Sequence, residues 1–183
     1  MSKPRIRSLL LAALVSLASP GFAQTLQSTP NVSIVSNGFV FALAAMPDGD
    51  WIVGGEFDSV NGVARKNLAR INADGSVDAA WNPGVTARID ALAATANGDV
   101  LAAGYEIPES GPSQTVVVRI TGPTGTVSAW RPAELPQSID SVAATADGGV
   151  IIGGLFFSPG GPYYLRKFSA STGALDSGFS AAP

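Results

Sequence analysis

The 183-residue chain contains no histidine and no cysteine. Those two absences remove the usual zinc sets, haem and iron–sulfur ligation, and nucleophilic catalysis by Cys–His or Ser–His–Asp groups. Without cysteine there are no disulfides, so that packing and partners must stabilise the fold. Charge is scarce, at 14% Asp, Glu, Lys and Arg. With 46% hydrophobic residues, the chain has enough apolar material for a core and reads as folded rather than disordered. Outside the first 23 residues there is neither a helical period nor a long apolar run. Carboxylate chemistry and calcium binding survive these exclusions.

The first 23 residues read as a secretory leader. Lys3, Arg5 and Arg7 form a basic start, Leu9 to Ala18 is almost wholly apolar, and Gly21-Phe22-Ala23 places small residues at the cleavage positions. The apolar run is too short to span a bilayer. Cleavage is expected after Ala23, giving a secreted or periplasmic product with no membrane span. Removing the three leader cations moves the formal charge from −3 to −6. A net acidic chain with scattered arginines argues against nucleic acid as a partner.

After a lead-in over 24–38, the chain repeats itself over 39–183. The segments starting at Val40, Ile89 and Ile139 match at offsets of 49 and 50 residues. Each carries an alanine pair (Ala44-Ala45, Ala93-Ala94, Ala143-Ala144) and a turn dipeptide (Asp48-Gly49, Asn97-Gly98, Asp147-Gly148). Downstream, Arg70, Arg119 and Lys167 hold one position, Gly75, Gly125 and Gly173 a second, and Trp81, Trp130 and Phe179 a third. The units span 39–83, 88–132 and 138–183, each ending at a proline.

Each unit predicts four short antiparallel strands, the first two joined by a tight Asp-Gly or Asn-Gly turn. Four strands per 49 residues is the size of one propeller blade. The expected fold is therefore all-β: three tandem four-stranded blades forming an incomplete or open β-propeller after the leader. The small residues suit innermost strands that converge on an axis. Gly54-Gly55 and Gly153-Gly154 suggest a bend or a close backbone contact. Trp81, Trp130 and Phe179 are expected to cover the interfaces between blades.

Gly54-Gly55-Glu56-Phe57, Val60-Asn61-Gly62, Arg65, Asn67-Leu68-Ala69-Arg70-Ile71-Asn72, Asp74-Gly75-Ser76-Val77-Asp78 and Trp81-Asn82-Pro83 together resemble the delta-60 repeat β-propeller family of secreted bacterial proteins. The third unit keeps Gly153-Gly154-Leu155-Phe156, Gly173, Leu175-Asp176 and Phe179. The second departs, with Ala103-Gly104 for the double glycine and Ser128 at the aspartate position. The resemblance covers about residues 30–183. It implies an exported propeller-like module, often found among larger adhesive or surface polypeptides, with no settled activity and no fixed catalytic residues.

Three units fall short of the four blades that a closed propeller needs. Three outcomes follow: two chains closing a six-bladed ring, an open shortened relative, or pairing with another exported protein or an open array. In each, apolar faces on the terminal blades seek cover.

No catalytic, cofactor-binding or metal-binding residue is assigned, and no cofactor is expected. Asn72, Asp74 and Asp78 put oxygen ligands in one turn, which raises calcium, but the Asp74-Gly75 turn explains them without it. Arg70, Arg119 and Lys167 are expected to pair with carboxylates such as Asp78 or Asp176 and tie strands together; an anion-binding ring is the other reading. Asp90 and Asp140 recur on the first strands, but Phe41 breaks the series. The loops 58–66, 106–114 and 157–163, with Phe156-Phe157 and Tyr163-Tyr164, are where binding differences would sit. The leading functional expectation is a non-enzymatic module for protein interaction or surface structure. The alternatives are a small extracellular polymer hydrolase or lyase using Asp and Arg residues, and a remnant of a longer array.

Overall fold

The computed structural model describes residues 34–35, 38–158 and 161–179. The leader 1–23, most of the lead-in and Pro183 lie outside the described residues. The fold is all-β, and no helix occurs among the described residues. The strands are β1 (Ile34–Val35), β2 (Phe39–Ala45), β3 (Trp51–Glu56), β4 (Ser59–Val60), β5 (Val63–Ala64), β6 (Leu68–Ile71), β7 (Arg88–Ala94), β8 (Val100–Glu106), β9 (Gln114–Ile120), β10 (Ser138–Ala144), β11 (Val150–Ser158) and β12 (Gly161–Phe168).

Three equivalent sheets result, β2-β3-β6, β7-β8-β9 and β10-β11-β12, each antiparallel with its strands in chain order. They are blades 1, 2 and 3 of an open propeller-like row. Turns at Gly49, Gly98 and Gly148 join the first two strands of each blade. All three glycines have positive φ (94°, 85° and 78°), as the last residue of a three-residue hairpin loop built on a type I turn requires.

The same bulge recurs in each blade. The register shifts between Val40 and Ala42, between Ile89 and Ala91, and between Ile139 and Ser141. Opposite it stand Gly55, Gly104 and Gly154. A Cβ on any of them would lie 1.9–2.0 Å from the carbonyl oxygen of Phe39, Arg88 or Ser138. The close backbone contact expected of the glycine pairs is therefore real, and it belongs to the second glycine. In blade 1 the first glycine has another role. A Cβ on Gly54 would strike Cγ2 of Ile89 at 2.6 Å and Cδ1 of Leu92 at 2.9 Å, both on the next blade.

The blades stand side by side, with the innermost strands β2, β7 and β10 neighbours in turn. Between blades 1 and 2, Ile52, Leu68 and Trp81 pack with Ile89, Val100 and Ile120. Between blades 2 and 3, Leu101, Val117 and Trp130 pack with Ile139, Val150, Ile152, Phe156 and Phe168. Ala44, Ala93, Ala94 and Ala144 lie against these clusters, as small residues on converging strands should.

Two expectations change. The fourth strand of each unit is one bridge pair rather than a strand: Ile71 with Val77, Ile120 with Val127, Phe168 with Leu175. Asp78 ends the first of these by accepting from the backbone N–H groups of Ala80 (2.9 Å) and Trp81 (3.2 Å), which turns the chain and sends the indole into the interface. Ser128 does the same for Trp130 through its hydroxyl at 3.3 Å, so the departure at Ser128 leaves the turn in place. The loop regions also change. Residues 59–64 form a β4–β5 hairpin whose β4 pairs with β1, and β11 and β12 extend through most of 157–163.

Candidate functional site

The recurrent cations are the best-defined polar feature. Arg70, on β6, is buried. Its Nε donates to Asp50 Oδ2 at 2.8 Å, its Nη2 to Asp48 Oδ2 at 2.5 Å, and its Nη1 to the carbonyl of Gly122 in blade 2 at 2.8 Å. Asp78 lies at the edge of the pair, at 3.9 Å. Arg119 repeats the scheme on β9. Its Nε donates to Asp99 Oδ2 at 2.9 Å and its Nη1 to the carbonyl of Ala170 in blade 3 at 3.0 Å. Each arginine thus joins its own first turn to the backbone of the next blade, a task suited to a planar group with several fixed donors. Trp130 adds a parallel link, its Nε1 donating to the carbonyl of Ser169 at 2.9 Å.

Blade 3 differs in step. Gly149 stands where Asp50 and Asp99 stand, and Lys167 replaces the arginine. Lys167 Nζ pairs with Asp147 at 2.9 Å and with Asp176 at 3.4 Å. The expected pairing with carboxylates and tying of strands is found; Asp50, Asp99 and the carbonyls of Gly122 and Ala170 were not foreseen. A signal existed: Asp and Arg recur together at 50/70 and 99/119, and both change at 149/167.

The Lys167–Asp147 pair sets a pH dependence. The Lys167 ammonium, with help from the Thr145 hydroxyl and the Gly149 N–H, holds the Asp147 carboxyl well below its ordinary range. Asp147 in turn raises Lys167. A depressed carboxyl adds stability above its unfolded value of about 3.9, lost as pH falls through the folded value. A raised ammonium adds stability below about 10.4, lost as pH rises through its folded value. The melting temperature of wild type is therefore expected to exceed that of Lys167→Met across the neutral range, with the gap narrowing below about pH 4 and above about pH 10.4. A gap that stays constant from pH 2 to 11 would contradict the pair. Both groups are on the surface, so the gap is small.

The residues that raised calcium have separate local partners. Asn72 Nδ2 donates to Ser76 Oγ at 2.8 Å. Asp74 Oδ1 accepts from the N–H and the hydroxyl of Ser76, which lowers its pKa. Asp78 caps the turn into Trp81. Among the described residues, no group of three or more acidic side chains is placed to hold a metal ion.

Asp90 and Asp140 are both bulge residues. Asp90 pairs with Arg88 at 3.0 Å, and the Arg88 guanidinium lies over the rings of Phe41 (5.2 Å) and Tyr105 (5.6 Å). Asp140 is exposed. Beside Arg88, Glu56, Asp58, Lys66, Thr86 and Ile107 line an open cleft of about 360 Å³, which carries both signs of charge. Two buried polar residues act as struts nearby. Arg65 donates to the carbonyls of Ala64, Asp78 and Ala79, and Asn67 accepts from the Phe57 N–H and donates to the Thr86 carbonyl.

The remaining feature is apolar. On blade 1, Phe39, Val40, Phe41, Leu43 and Trp51 are exposed. On blade 3, Phe157, Tyr164 and Leu165 are exposed, whereas Phe156 is core. The outer half of blade 1's outward face is covered from within: Phe57 and Val60 pack on Val53, Ala69 and Ile71.

Residues 47–80 match the model of a family described as a domain of unknown function (DUF5122) beta-propeller. No curated protein matches the chain. The match falls on the turn, the β4–β5 hairpin and the Arg70 tie of blade 1. It ends at the residue before Trp81. Over that span the chain is similar to a β-propeller repeat, in agreement with the row of small antiparallel sheets.

Proposed function

We propose that the chain is an exported, non-enzymatic propeller module of three delta-60-type repeats, acting in protein interaction or surface structure. One observation carries this reading. Arg70 and Arg119 are spent on joining blades and Lys167 on carboxylates within its own blade, while large apolar side chains are exposed on both end blades. Apolar patches of this kind mark association surfaces. The basic start, apolar stretch and small-residue cleavage site at Ala23 support export.

The test is expression of the full chain with its leader in a bacterial host, with a photo-crosslinking residue placed in turn at Trp51, Tyr164 and Thr124. Export is expected to yield a product beginning at Gln24 by intact mass. Crosslinks to protein are expected from Trp51 and Tyr164, and not from the turn residue Thr124. An unprocessed chain inside the cell would contradict the reading. So would polymer cleavage by the purified protein that Asp90→Asn or Asp140→Asn abolishes.

A further inference from the structure

The two exposed ends are halves of the interface that the chain already builds twice. At the first junction, Ile89, Leu92, Ala94 and Val100 of blade 2 sit against blade 1, and Ile89 and Leu92 enter the notch left by Gly54. The repeat places Val40, Leu43, Ala45 and Trp51 at the same positions on blade 1, where they face outward. Leu43 is 60% exposed and Trp51 47%. The notch side of the junction is Ile52, Gly54, Leu68 and Arg70. On blade 3 its counterparts are Ile151, Gly153, Leu165 and Lys167, with Leu165 37% exposed.

We propose that a second copy of the chain docks blade 1 on blade 3 of the first, head to tail, through the inner halves of these faces, and that the reciprocal contact closes six blades. This rests on the propeller-module reading above and names its partner. Val40 and Leu43 of one copy meet Gly153 and Leu165 of the other, where the Ser141 hydroxyl of the same blade lies over Gly153 in the place that Ile89 takes over Gly54. The polar link continues as well. Arg70 and Arg119 donate to the carbonyls of Gly122 and Ala170, and the matching carbonyl on blade 1 belongs to Ala73, which is exposed. Lys167 has a third N–H to offer it beyond those directed at Asp147 and Asp176.

The outer half of the seat is narrower than in the two internal junctions. Trp81 rests on Gly125, 3.1 Å from the position of its Cβ. The counterpart of that glycine on blade 1 is Gly75, which is already buried, with Asn61 Nδ2 donating to its carbonyl at 3.1 Å. Blade 3 brings the smaller ring of Phe179 to that place. Two head-to-tail contacts related by a two-fold axis satisfy both ends, so the assembly stops at two chains.

Light scattering on the exported chain tests this, with Leu43→Lys and Leu165→Glu as variants. Both side chains are exposed enough for the single chain to fold, which circular dichroism checks. Wild type is expected at twice the chain mass. Each variant alone is expected at one chain mass, with the dissociation constant raised at least ~100-fold by a charge forced into an apolar seat. An equimolar mixture of the two is expected to recover the doubled mass, since it retains one intact junction and sets Lys against Glu at the other.

A wild type of single mass overturns the proposal. So does a dimer that Leu43→Lys abolishes and Leu165→Glu leaves intact, which would mean that two blade 1 faces meet. A mass that climbs past two chains with concentration overturns the closure. Processing after Ala23 is read from the mass of the same samples. An exported, folded, single-mass chain therefore removes the self-association alone, whereas an unprocessed chain removes the module reading.

Discussion

Gly104→Ala is expected to cost more than about 3 kcal/mol, a large share of the roughly 5–15 kcal/mol that holds a domain together, or to prevent folding. The added methyl would sit 1.9 Å from the carbonyl oxygen of Arg88 and 2.9 Å from its carbon, both backbone atoms that no side-chain rotation can move. Relieving that contact means undoing the bulge between Ile89 and Ala91. The bulge sets which of Ile89, Ala91 and Leu92 faces each neighbouring blade, so both interfaces of the central sheet would be lost together. The neighbouring Ala103→Gly is the control. It removes one methyl and loosens a strand, at roughly 1 kcal/mol. Urea titrations followed by tryptophan fluorescence measure both. A midpoint for Gly104→Ala close to that of wild type would show that the bulge is not what fixes the register.

Trp81→Ala is expected to cost about 3–5 kcal/mol, the range for deleting a fully buried large aromatic ring. Trp81 is 1% exposed and lies in the cluster that joins blade 1 to blade 2, so the cavity would open at the junction itself. Trp81→Phe separates ring from indole N–H. Nε1 of Trp81 is buried without an acceptor, so phenylalanine sheds an unpaired donor while keeping most of the ring. Its cost is expected to fall below about 1.5 kcal/mol. Trp130→Phe is expected to cost about 1 kcal/mol more than Trp81→Phe, because it gives up a bond across a junction to the Ser169 carbonyl. Equal costs for the two phenylalanine variants would contradict the different environments of the two indoles.

Much of this arrangement was legible from repetition. Turn dipeptides at 48, 97 and 147 and aromatics at 81 and 130 pointed to strands joined by hairpins and to rings between blades, because those residue types meet backbone and packing requirements that recur unchanged. The fourth strand was overread: one apolar residue in each unit, Val77, Val127 or Leu175, suggested a strand, but the Asp78 cap takes the N–H groups of Ala80 and Trp81 that a longer ladder would need. The β4–β5 hairpin was missed because Val60-Asn61-Gly62-Val63 is too short to show alternation. The cation position was legible as a structural tie. Its reach to Gly122 and Ala170 was not, since a bond across about fifty residues depends on how neighbouring blades are set. The interacting faces were the least legible part. Leu43 and Leu92 occupy equivalent positions, and only their neighbours decide that one is exposed and the other partly buried.

The central claim is that the three sheets stand side by side in chain order, each joined to the next by the same positions. Nuclear Overhauser contacts from the Trp81 indole test it most directly. The account calls for contacts from Trp81 to Gly125 and to the methyl groups of Ile89 and Ile120, with the Gly125 α-protons shifted upfield by the ring. It calls for the corresponding contacts one repeat later, from Trp130 to Ser169 and to the side chains of Ile139 and Phe168. Contacts from Trp81 confined to residues 39–83, or running directly to strands of blade 3, would contradict it.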